Sequence, residues 1–408
     1  MSFQTGLSGL NAAAKNLDVI GNNIANANTV GAKASRTEFS AIVASAIGPS
    51  GGGGAGGGIG VEIAAISQQF SQGTINITGN SLDVAINGGG FYELQLSDGS
   101  SAYTRDGQFK LDASGNLVTN TGANVMGYTT DLLGNATSTT LSKMTVPTGA
   151  PIPAQPTSTI AAEFNLDARA PIAAAAVPPT PYTTYGTSLN AFDSQGVSIP
   201  VQLYFVKTAA DAWNIYTGDP AAPTSTPPLT AAPITFDGAS KVQGTVNALP
   251  ITLTSSNPNI GAFAATLDIS NATQYGTSFA ISNLTQDGYT AGNLTGVAIS
   301  KTGVITTRYS NGQSQARGQL ALADFRNVQG LQPVGQGNWV ETIKSGRPIH
   351  GNAAQGNFGE ITSGALESSN VDLTAELVAM MTAQRDYQYN AQTIKTQDQV
   401  LSTLVNLR

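Results

Sequence analysis

Residues 3–26 read FQTGLSGLNAAAKNLDVIGNNIAN, and in this stretch Phe3, Leu10, Leu17 and Ile24 recur every seven positions. Leu7, Ala14, Gly21 and Asn28 fill the second seam position of the same repeat. A seven-residue apolar period keeps one stripe on one side of an α-helix, the pattern of helices that pack along one another. The following Asn26-Ala27-Asn28-Thr29-Val30-Gly31 supplies Asn and Gly, which best tolerate a left-handed helix end, so the helix is expected to stop there.

The C-terminus repeats the design. Leu373, Met380, Tyr387, Ile394 and Leu401 occupy one seam position, and Leu377, Gln384, Ala391, Asp398 and Val405 the other. Ser369 followed by Asp372 before the apolar run reads as a capping-box start. Both seams are weak, because Gly21, Asn28, Gln384 and Asp398 stand where a strong zipper places Leu or Val. Neither helix is expected to be stable alone. Two arrangements remain open: the helices pack on each other within one globular unit, or copies of the chain surround them. The narrow seams, flanked by uncharged Asn, Gln, Thr and Ala, favour assembly.

Between the ends the period changes to alternation. Strands are expected at residues 60–63, 74–77, 91–96, 102–104 and 109–111, with Asp98-Gly99, Asp106-Gly107 and Ser114-Gly115-Asn116 as turns. After Val146, Pro- and Ala-rich runs at 147–156, 170–181 and 220–233 interrupt strand-like segments at 201–206, 213–217 and 251–254. This predicts a second β-domain inserted into the first. The fold class is therefore mixed: terminal α-helices forming a coiled-coil core, plus two mainly-β domains. Residues 48–60 form a Gly-rich tract, read as a loosely packed joint.

Composition excludes several function classes. Only 11% of residues are charged and the net charge is -7, so there is no Lys/Arg surplus for nucleic acid or an anionic membrane. Cysteine is absent, which removes thiolate nucleophiles and Cys-based metal sites. No run approaches the roughly 18 apolar residues of a bilayer span; residues 41–47 come nearest. The first charge, Lys15, falls inside the helical pattern, so a cleaved secretory signal is not expected.

Candidate chemistry is sparse. Residues 51–56 satisfy GxGxxG formally, but no strand leads into them and no strong helix follows. His350 is the single histidine, has no GxSxG partner, and is read as a loop residue beside Pro348 and Gly351. Asp98, Asp106 and Asp112 fit no calcium-loop spacing and are read as turn residues. No catalytic, metal or cofactor-binding residue is expected, and the chain is not read as an enzyme.

Several segments resemble the flagellar rod and hook axial protein family. They are residues 8–14 with 17–26; Leu82-Asp83-Val84-Ala85-Ile86; Gly90-Phe91-Tyr92; Tyr103-Thr104-Arg105-Asp106-Gly107; residues 364–372; Ala383-Gln384-Arg385-Asp386-Tyr387; and Ile394-Lys395-Thr396-Gln397-Asp398. Asn22, Asn23, Asn26, Gly31, Leu366 and Asn370 are the positions assigned to the family motif. Length and the inserted region favour a hook-type member over a distal-rod type, and a secreted β-rich adhesin is the more distant alternative.

The resemblance implies a structural subunit that assembles with itself into a curved, flexible tube, a universal joint carrying motor torque to the filament. It further implies type III export without signal cleavage, and a distal rod protein, a hook cap protein and a hook–filament junction protein as partners. The organisation it implies is a helical core of residues 1–30 with 370–408 and connecting segments 31–70 with 356–369. Around these come a middle β-domain of 71–146 with 285–355 and an outer inserted β-domain of 147–284. Phe3, Leu7, Leu10, Leu17, Ile24, Leu373, Leu377, Met380, Tyr387, Ile394, Leu401 and Val405 are then the subunit-packing residues.

Overall fold

The computed structural model describes residues 2–43, 58–149, 151–173, 185–218, 227–230, 232–243, 248–255 and 257–406. Most of the Gly-rich tract, 48–57, and part of each later Pro-rich run lie outside the described residues. An α-helix stands at each end, α1 over Ser2–Ala25 and α2 over Leu373–Asn406, and almost everything between is β-strand.

Helix α1 stops where the Asn-rich run begins, and Gly31 beyond it holds φ +68, a conformation that favours glycine. Asp372 rather than Ser369 caps α2: its Oδ1 accepts from the backbone N–H groups of Thr374 at 2.9 Å and Ala375 at 3.1 Å. Ser369 instead closes a local turn, its Oγ accepting from the Val371 N–H at 3.3 Å. The aspartates at the turns act as their spacing suggests. Asp98 Oδ1 accepts from Ser100 N, Asp106 Oδ1 from Gln108 N and Asp112 Oδ1 from Asn116 N, at 2.7–3.0 Å.

The described chain divides into two compact units. The first comprises residues 1–149, 296–308 and 314–408, and the second 150–295 with 309–313. In the first, β1 (Ser35–Val43) pairs antiparallel with β2 (Gly58–Gln68), and this hairpin follows α1 directly. A larger sheet is built around Ser314–Asp324, which pairs with Val304–Tyr309, Asn124–Tyr128, Phe91–Gln95 and Ile349–Asn352. His350 therefore lies in a short strand, opposite Ala323, and not in a loop. The chain's early and late halves are zipped by Ile75–Ile77 against Ala365–Glu367 and by Val84–Asn87 against Glu360–Ser363. An aromatic cluster of Phe70, Phe91, Tyr103, Phe325 and Trp339 fills one side of the sheet, with edge-on ring contacts at 4.8–6.1 Å.

The second unit has a four-stranded sheet, Ala248–Leu253, Phe263–Asp268, Thr159–Asn165 and Ala280–Gln286 in spatial order, and a five-stranded sheet running from Tyr185–Phe192 to Val242–Gln243. Burial alternates along Thr159–Asn165 and Ala248–Leu253, as a half-buried strand requires. Their inward residues, including Ile160, Phe164, Leu249 and Ile251, meet Leu203, Phe205 and Trp213 of the other sheet in one core.

Candidate assembly surface and its buried clasp

Helix α1 runs antiparallel to α2. Gly6 lies against Ile394, Gly9 against Asn390, and Asn23 donates from Nδ2 to Glu376 Oε1 at 2.9 Å. Small residues make the close approach possible: a Cβ on Gly9 would stand 2.6 Å from Asn390 Oδ1. The buried face of α1 continues through Ala12, Ala13, Val19, Ile20 and Asn23. On α2, Ala383 is buried at the centre of the contact.

The expected seam enters the contact only in part, through Ile394 against Gly6. Leu7 is 43% exposed, and Leu10, Leu17 and Ile24 are half-buried. On α2, Met380 and Ile394 are half-buried, whereas Leu373 and Leu377 are each 46% exposed and Tyr387 is 37% exposed. The side chains of Phe3, Leu401 and Val405 lie outside the described residues. The helix pair thus leaves Leu7 of α1 and Leu373, Leu377, Val378 and Met381 of α2 exposed after the two have packed.

A buried ionic clasp connects the helical ends to the β-region. Glu367, whose side chain is 0% exposed, accepts from Lys33 Nζ at 2.6 Å and Gly73 N at 3.0 Å through Oε1, and from Arg105 NH1 at 3.2 Å through Oε2. Lys33 Nζ also donates to the Ser71 carbonyl at 2.8 Å, and Arg105 NH2 to the Gly88 carbonyl at 2.8 Å. Burial pulls the Lys33 ammonium below its ordinary pKa, and the hydrogen bond and charge of Glu367 oppose that shift.

The motif positions divide around this clasp. Gly31 N donates to the Glu367 carbonyl at 2.8 Å, and a Cβ on Gly31 would stand 2.7 Å from the Arg105 carbonyl carbon. Asn370 Oδ1 accepts from Ala34 N at 2.7 Å, while its Nδ2 donates to the Gln69 and Ser71 carbonyls at 2.7 and 3.1 Å. Asn23 makes a reciprocal pair with the Ser35 backbone, both bonds at 2.8 Å. Leu366 is buried opposite Asn76. Asn22 and Asn26 stay outside: Asn26 Nδ2 bonds back to the Asn22 carbonyl at 2.9 Å, and both line a polar cleft of about 210 Å³ that also touches Trp339. Lys33, Arg105 and Glu367 escaped functional assignment from sequence. The available signal was charge set inside Gly- and Ala-rich motif stretches of a chain with only 11% charged residues.

A second titratable group is buried in the same unit. Glu93 projects beside the aromatic cluster opposite Tyr103, with Oε2 3.4 Å from His350 Nδ1. Burial pushes its carboxyl up to about 7, Ser101 opposing through a hydrogen bond and the Glu341 charge adding to the rise. His350 moves down, chiefly by burial.

Paired helical ends, a β-body zipped from the two halves of the chain and a buried clasp between them make up the frame of the first unit. Residues 3–33 match the "Flagella basal body rod protein" family, 85–163 the "Flagellar hook protein FlgE/F/G D1 domain", 165–289 the "Flagellar basal body protein FlaE D2 domain", and 362–407 the "Flagellar basal body rod FlgEFG protein C-terminal" family. The chain is 42% identical to flagellar hook protein FlgE of Salmonella typhimurium and 41% identical to that of Escherichia coli, covering 100% of each chain in both comparisons. A crystal structure of Helicobacter pylori flagellar hook protein FlgE2 superposes with a TM-score of 0.52 at 15% identity, over 72% of this chain and 100% of that one. The chain belongs to the flagellar hook protein family, and is a structural subunit of the hook.

Proposed function

We propose that the outer flanks of the α1–α2 pair are the polymerisation surface, through which copies assemble into a curved, flexible tube that serves as a universal joint. The observation that carries this is the apolar surface left on the helix pair, where Leu7, Leu373 and Leu377 are 43–46% exposed and Leu10, Leu17 and Ile24 are only partly covered after α1 has packed on α2. Full burial of each leucine contributes about 1.5–3 kcal/mol, so contacts with neighbours offset the cost of ordering two weak helices. In this reading the terminal helices form the inner layer of the tube. Sparse charge leaves few fixed ion pairs between outer surfaces, so they slide as the tube bends. Export through a type III apparatus without signal cleavage, and contact with distal rod, hook cap and hook–filament junction proteins, belong to the same reading.

The test is sedimentation and negative-stain microscopy of the full chain beside Leu10→Glu/Leu17→Glu. The wild type is expected to form curved tubes and the variant to remain monomeric. Straight, stiff tubes instead favour a distal-rod-type shaft, and a variant that polymerises as well as wild type removes the flank from the interface.

A further inference from the structure

The same helix pair carries a groove whose shape complements its own flank. Between α1, α2 and the β1–β2 hairpin lies an open space of about 500 Å³, floored by Gly9, Ala12, Ala13 and Ala383 and walled by Phe39 and Tyr389. Asn16 and Asn390 also line the space, and between their amides the floor offers nothing larger than a methyl group. The aromatic walls are exposed, Phe39 by 46% and Tyr389 by 69%. Such a surface accepts bulky aliphatic side chains.

We propose that this groove receives the Leu7–Leu10 part of α1 from a second copy of the chain, an inference that rests on the hook-subunit reading above. No copy can fill its own groove, because on α1 the leucine flank and the groove floor face different directions. Ser8, whose Oγ accepts from Val61 N at 3.3 Å, faces the hairpin, whereas Leu10 is roughly 200° further round the helix at about 100° per residue.

Charge supports the same occupant. Asp386 lines the groove together with the hairpin residues Phe39 and Val61. Leu377 precedes Asp386 by about two and a half turns and therefore lies on the opposite flank of α2, away from the hairpin. Lys395 follows Leu377 by about five turns and shares that flank. In the antiparallel pair Lys395 lies near the level of Leu7, since Gly6 meets Ile394. Seating the leucine flank of one copy in the groove of the next therefore carries Lys395 towards Asp386. The contact joins unlike surfaces, so repetition gives an open helical array and not a closed pair.

The chain has no cysteine, so single cysteines report the contact directly. Full-length Leu10→Cys and Tyr389→Cys, mass-labelled differently, are co-polymerised with an added oxidant, and dimers are resolved by mass. Mixed dimers are expected from the co-polymer, with none from either variant alone. Polymers lacking mixed dimers, or containing Leu10→Cys homodimers, overturn the contact while leaving the hook reading intact. A wild type that never polymerises overturns both. An independent charge swap covers variants that assemble poorly. Asp386→Lys is expected to raise the critical concentration about fivefold, and adding Lys395→Asp to bring it back towards the wild-type value. A double variant as impaired as the single one overturns the contact.

Discussion

Glu367 shows how much of this subunit depends on single polar side chains. Its carboxylate faces two cations and a backbone N–H with no exposure to water, so removing its charge leaves Lys33 and Arg105 buried and uncompensated. Glu367→Gln is expected to destabilise the first unit by about 3–5 kcal/mol. Urea unfolding followed by Trp339 fluorescence in a Trp213→Phe background measures this, and an unshifted midpoint contradicts it. The sequence marked Gly31 and Asn370 as motif positions but not their physical work. Gly31 is glycine because its φ is +68 and the Arg105 backbone leaves no room for a Cβ. Asn370 supplies the amide that joins residues on both sides of the hairpin, a partnership spanning more than 290 positions along the chain. No local pattern encodes it.

At the scale of elements, the two terminal helices were legible because a seven-residue repeat and an Asn/Gly stop are local signals. The start of α2 lies three residues beyond the capping-box reading: Asp372, and not Ser369, is the N-cap, its Oδ1 accepting from the Thr374 and Ala375 N–H groups. Asp372→Ala is expected to cost about 1 kcal/mol at this end of α2. Faster amide exchange at Thr374 and Ala375, with exchange near Ala383 unchanged, is the measurement that checks it. Which face of α1 meets α2 was not legible. Gly6, Gly9, Ala12 and Ala13 contribute little to a hydrophobic period, yet Gly6 and Gly9 are where the Ile394 and Asn390 side chains of α2 come against α1. The strands were readable from alternation, as along Ala248–Leu253, and their turns from Asp and Gly.

At the scale of the whole molecule, the first unit carries a pH dependence set by Glu93 and its neighbours. The folded carboxyl sits at about 7, above the ordinary carboxylate value, so its favourable contribution is complete at low pH and is lost as pH rises towards 7. His350 works in the opposite sense: its pKa is lowered by burial, so its contribution is present at high pH and is lost as pH falls through its ordinary range. Glu93→Gln removes the first effect and keeps the second. Relative to wild type, the variant is expected to gain about 3 kcal/mol at pH 8 compared with pH 4, read from urea midpoints across that range. Parallel stability curves for the two proteins contradict the assignment. Ser101 and Tyr103 reach Glu93 from the neighbouring strand and Glu341 and His350 from far later in the chain, which is why the cluster could not be foreseen from the isolated Glu93 or from a lone histidine.

By itself the sequence determined the elements: a helix at each end, strands between them, turns at Asp-Gly, and a chain poor in charge with no cysteine and one histidine. These follow from period and composition, which are properties of neighbouring residues. Tertiary structure alone decided that Gly6 and Gly9 of α1 sit against Ile394 and Asn390 of α2, that Leu7, Leu373 and Leu377 stay exposed, and that Lys33, Arg105 and Glu367 meet out of water. Close approach and charge burial depend on which distant segments share a volume, and the chain reveals that only once it is folded.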